Sequence, residues 1–175
     1  MTDLRDTVFD HKGWFETIAG KIPLYKGYKQ KEDRREADAL LREHLNTSLS
    51  EQLRKAEDVG GQMLTGPGIA QLDDIGRANT RLQTLIDKVK TAAQGYTGLF
   101  DAVKIKEEEL DALYEFDSGL LTKVDDISEA IDSIQAALDS GDDSALAPTV
   151  RRYTKTVTDV SDLFDRRKEV ILGLS

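Results

Sequence analysis

Apolar residues recur in helical steps along most of this chain. The sharpest run is Leu72, Ile75, Asn79, Leu82, Ile86, Val89, Ala93, Tyr96, Phe100 and Val103, spaced 3-4-3-4-3-4-3-4-3. Steps of three and four put side chains on one helix stripe, and their regular alternation is the a/d seam of a coiled coil or a closely packed bundle. Asn79 is the polar member. It either specifies register, as a buried polar seam residue does, or sits at the seam's edge near a helix end.

Three further stripes follow the same logic. Ala37, Leu41, Leu45, Leu49, Leu53, Ala56, Met63 and Leu64 predict a helix over 29–64. Leu113, Phe116, Leu120, Val124, Ile127, Ile131, Ile134 and Leu138 predict one over 105–139, with Leu110, Tyr114 and Leu121 widening its stripe toward a second neighbour. Leu146, Val150, Tyr153, Val157, Val160, Phe164, Arg167, Ile171 and Leu174 predict one over 145–174. Arg167 is the break in that last stripe. It either snorkels out of the seam or pairs with a carboxylate of the acidic 105–139 helix.

Breakers set the boundaries. Gly66-Pro67-Gly68 stops the first long helix. Ser140-Gly141-Asp142-Asp143-Ser144 supplies a turn, with Gly141 ending one helix and Ser144 capping the next. Gly95 and Gly98 loosen the 69–104 helix, but its seam keeps phase across them. That predicts a kink, with 69–104 and 105–139 able to merge into one rod. Residues 1–28 carry Leu4, Val8, Phe9, Trp14, Phe15, Ile18, Ile22 and Leu24 among Gly13, Gly20, Pro23 and Gly27. They read as a short amphipathic helix followed by an irregular link. The predicted fold is all-α: an elongated antiparallel helical bundle (29–175) with coiled-coil-like heptad seams, preceded by a short amphipathic N-terminal segment (1–28).

Composition agrees. Of 175 residues, 39% are hydrophobic, 33% charged and three are proline, which suits long helices. The chain has no cysteine, which excludes disulfides and zinc-thiolate sites. It has no apolar run long enough to span a bilayer, and its acidic start lacks a secretory core. A cytoplasmic protein, peripheral to a membrane at most, is the expectation. The net charge of −9 argues against nucleic acid. Charge is uneven along the chain: residues 21–35 hold six Lys/Arg against two acids, whereas 105–145 hold two against thirteen.

Candidate chemistry is sparse. Residues 60–66 contain glycines without a phosphate-binding lysine. The two histidines, His11 and His44, lack the Glu-x-x-His spacing of di-iron bundles. Asp139 to Ala145 lacks the alternating ligands of a calcium loop. The acids from Glu107 to Asp117 read as a solvated face, and carboxylates such as Glu109 and Asp117 form a metal site only if they point inward. No enzyme, cofactor, metal or small-molecule substrate is expected.

The stretch with a contact signal is N-terminal. Trp14, Phe15, Ile18, Ile22, Tyr25 and Tyr28 lie beside Lys21, Lys26, Lys29, Lys31, Arg34 and Arg35. Aromatic anchors next to basic residues suit an anionic membrane interface or a protein partner. The competing reading is that the aromatics cap the bundle. Gly95, Tyr96, Gly98 and Phe100 form a candidate notch for close helix approach. The expected function is a non-enzymatic scaffold or adaptor acting through helix–helix contacts. A self-assembling subunit of a filament or particle is the first alternative, and a carboxylate-based metal-binding protein the second.

Overall fold

The computed structural model describes residues 4–95 and 106–173. Five α-helices account for nearly all of them: α1 (Leu4–Lys21), α2 (Arg34–Met63), α3 (Leu72–Gly95), α4 (Glu107–Ser140) and α5 (Asp143–Gly173). Short 3-10 turns at Lys31–Asp33 and Pro67–Gln71 lead into α2 and α3.

The predicted stripes become the core. Ile75, Leu82, Ile86 and Val89 of α3 are buried, as are Leu113, Leu120, Val124, Ile127, Ile131 and Ile134 of α4. In α5 the eight positions from Leu146 to Ile171 are buried, Arg167 among them. Leu110, Tyr114 and Leu121 are also buried, because α4 packs against α1, α2 and α5 at once. Leu64 departs from its stripe and is 62% exposed. Helix α2 ends at Met63, and Leu64 belongs to the outward-facing corner beyond it.

Cross-links fix the directions. Asn79 meets Tyr153, Arg81 meets Thr158 and Lys88 meets Asp165, so α3 and α5 run the same way. Arg167 meets Asp117 and Arg152 meets Glu129, so α4 and α5 are antiparallel. Gln62 meets Gln135, and Asp38 shares Arg167 with Asp117, so α2 and α4 run the same way. Helices α2 and α3 pair antiparallel. The order around the bundle is therefore α2, α3, α5, α4, which puts α3 diagonally across from α4. Two sequence expectations change here. Helices α3 and α4 run in opposite directions, so 69–104 and 105–139 are not one kinked rod. The start of α5 is capped by Asp142 rather than Ser144: Asp142 Oδ1 accepts from the Ala145 N–H at 3.2 Å and from the Ser144 hydroxyl at 2.6 Å. Gly141 does end α4, at φ 65°, where a side chain would be strained.

Candidate functional site

The Arg167 break in the α5 stripe leads to a buried polar cluster. Its guanidinium is 0% exposed. Nε donates to Asp117 Oδ1 at 2.8 Å and Nη1 to Asp38 Oδ1 at 2.6 Å. Nη2 donates to the Tyr28 hydroxyl at 3.0 Å and to Asp117 Oδ2 at 3.2 Å. Tyr28 passes its own proton on, donating to Asp117 Oδ2 at 2.6 Å. Arg42 completes the set, its Nε donating to the second Asp38 oxygen at 2.8 Å. Two guanidinium groups thus face two carboxylates, and the cluster is neutral as a whole. Neutrality and full hydrogen bonding are what make charge tolerable in an apolar interior.

Four elements supply the five members: Tyr28 comes from the linker before α2, Asp38 and Arg42 from α2, Asp117 from α4 and Arg167 from α5. Tyr28 is held on both sides. Its N–H donates to the Tyr114 hydroxyl at 2.5 Å, and its carbonyl accepts from Arg34 Nε at 2.8 Å. Burial opposes the charge on Arg167, but Asp117, Tyr28 and Asp38 outweigh it and raise its pKa well above the ordinary arginine value. Burial and the adjacent Asp117 push the Tyr28 phenol far above its usual range, so it remains a proton donor.

The sequence-derived candidates fall into two groups. Ile18, Ile22, Tyr25 and Tyr28 are buried in the same core as the bundle helices, and Trp14 and Phe15 are half-buried against it. Phe15 packs at 5.9 Å from Tyr25 and edge-on at 6.1 Å from Tyr114. Arg34 is buried on Tyr28. Lys21 reaches Asp125 of α4 at 2.6 Å. Lys26, Lys29, Lys31 and Arg35 are exposed, with Lys26 3.8 Å from Asp33 and 3.9 Å from Glu36. Of the candidate notch, Gly95 is the last described residue of α3, and Tyr96, Gly98 and Phe100 lie outside the described residues.

The metal alternative can be placed as well. Asp117 does point inward, but onto the Arg167 guanidinium; Glu109 accepts from the Lys106 N–H at 2.8 Å. Among the described residues no three potential ligands converge. Asn79, half-buried, accepts from the Tyr153 hydroxyl at 2.9 Å, which aligns α3 with α5 inside one chain. No described helix is long and apolar enough to cross a membrane.

Sequence reasoning passed over two features. Asp38 had no signal, since an acid two residues after Glu36 reads as solvated face. Leu24 is 82% exposed, the most exposed large hydrophobic residue described, and adopts φ 66°. A leucine next to proline carries no hint of that conformation. The fold defines the chain as an all-α helical bundle. No family model, curated protein or solved structure matches it.

Proposed function

We propose that this chain is a non-enzymatic helical scaffold or adaptor that works through contacts between helices. The regular stripes of α3, α4 and α5 serve as coiled-coil-like seams. The amphipathic N-terminal segment docks on an anionic surface, that of a membrane or of a protein partner. The observation carrying this reading is Leu24: a large apolar side chain held outward at φ 66° between buried Ile22 and Tyr25, with Lys26 exposed two residues on. Non-glycine residues rarely adopt this conformation without a use for it.

Magnitudes limit the strength of such docking. Burying one leucine contributes roughly 2 kcal/mol and each basic residue near an anionic bilayer about 1. Leu24 with three of Lys26, Lys29, Lys31 and Arg35 reaches about 5 kcal/mol, a Kd on the order of 0.1 mM. The net charge of −9 opposes it, but only within a Debye length of roughly 8 Å at physiological salt. Sedimentation of the full chain with phosphatidylserine vesicles, against phosphatidylcholine vesicles, tests the membrane arm. Pelleting should require the anionic lipid, fall with salt and be lost in Leu24→Ser. Equal pelleting with both lipids, or none at millimolar lipid, ends that arm.

A further inference from the structure

Helix α1 joins the bundle through one tight turn over residues 22–25. The Tyr25 N–H donates to the Ile22 carbonyl at 3.4 Å. Pro23 holds the second position of this turn and Leu24 the third, at φ 66°. That pattern is a type II turn, whose third position calls for glycine. Leucine there disfavours the closed turn by about tenfold relative to an extended backbone. Pro23 adds to the bias, because the residue before a proline prefers extended conformations.

The strained turn lies between two anchors, which meet where Phe15 packs on Tyr25. Ile22 belongs with α1, which packs along α4 and reaches Asp125 through Lys21 at 2.6 Å. Tyr25 belongs with Tyr28, which Tyr114, Arg34, Asp117 and Arg167 hold to the bundle. Opening residues 22–25 would free α1 as a unit and leave the polar cluster intact. The face left on α4 offers Asp125 to a lysine and apolar surface to Ile18 and Ile22. The segment that matches this face is α1 itself.

We propose that α1 is an exchangeable element, and that the α4 face beneath it takes the α1 of a second copy of this chain. The contacts of α1 with the bundle are remade across the pair, only the Tyr25–Ile22 turn bond is given up, and Leu24 returns to an ordinary backbone conformation in the extended hinge. Exchange of an identical element is a low-cost route to a dimer. The proposal goes beyond the docking reading and needs no membrane or other partner.

The native sequence has no cysteine, which makes a clean test available. One full-length preparation carries Lys21→Cys and a second, size-tagged preparation carries Asp125→Cys. They are mixed at several hundred micromolar, equilibrated in mild denaturant, returned to buffer without lipid and treated with a short bismaleimide. A control mixture uses Lys55→Cys, on the exposed face of α2, in place of Asp125→Cys. The mixed cross-linked dimer should form at least tenfold more than in the control. It should also fall roughly fivefold when both chains carry Leu24→Gly, which relaxes the closed turn but loosens the open one. A yield equal to the control overturns the proposal. So does a yield unaffected or increased by Leu24→Gly, with both variants checked as folded by circular dichroism. Vesicle binding is read separately, so either result leaves the docking reading to its own test.

Discussion

Arg167 and Asp117 meet at 2.8 Å with both side chains fully buried, one from α5 and one from α4. Taking such charges out of water costs several kcal/mol per ion, and the pairing offsets this only while every partner is present. Arg167→Ala should therefore cost about 3–5 kcal/mol in urea unfolding, because Asp117 is left charged in an apolar interior. Replacing Arg167 by Met, Asp117 by Leu and Tyr28 by Phe together should recover most of that loss, since Arg42 still neutralises Asp38. If the triple variant is as unstable as the single one, the cluster adds net stability and not only specificity.

Tyr28→Phe isolates the hydroxyl that both accepts from Arg167 and donates to Asp117. The ring and its packing remain. Losing the group leaves one Arg167 N–H without its acceptor and Asp117 Oδ2 with only its longer bond from Nη2, which should cost about 1–3 kcal/mol. Hydrogen exchange gives the location. Amides of residues 22–30 should exchange faster, while those of α3, which does not touch the hydroxyl, should slow or quicken only with global stability.

This cluster shows how far the sequence could be read. Helix type and core positions were legible because burial follows a 3.6-residue period, and α5 shows it at every described stripe position. Arg167 announced itself by breaking that period, and its pairing with the acidic helix was one of the two readings open. Its second partner, Asp38, was not legible, because α2 meets α5 through a side-chain contact 129 residues apart in sequence. The N-terminal aromatics illustrate a different limit. Composition places Tyr25 and Tyr28 beside lysines, but only the backward path of the linker decides that they face inward. The diagonal placement of α3 and α4 likewise depends on which stripes face each other, and periodicity within one helix does not encode that.

Gly27 tests the linker's path. It adopts φ 83°, and a Cβ there would lie 2.3 Å from the Tyr114 hydroxyl and 3.0 Å from Phe15 Cε2. Gly27→Ala should cost about 2–5 kcal/mol, from backbone strain of about 1–2 and overpacking of about 1–3. Gly141 shares the positive φ, at 65°, but a Cβ there meets nothing within 4 Å. Gly141→Ala should therefore cost only about 1 kcal/mol. Equal losses in thermal unfolding of the two variants would mean that the linker does not sit against Tyr114.

His44 provides a pH signature of the α1 contact. It lies on α2, half-buried, near Lys21 of α1, Asp125 of α4 and Glu51 of its own helix. Burial first and Lys21 second hold its imidazole below the ordinary value of 6.5, against the smaller opposing pull of Asp125 and Glu51. As pH falls through 6.5 the unfolded chain takes up a proton before the folded one does. The unfolded state then binds more protons, so this contribution is favourable above that pH and is lost on acidification. His44→Gln should make the urea midpoint fall less between pH 7.5 and pH 5 than in the native chain. Lys21→Ala should move the His44 titration, followed by NMR, back toward 6.5, because the positive charge that holds it down is gone. Unchanged titration in Lys21→Ala would place α1 away from His44, and would count against the seat on α4 from which exchange is argued.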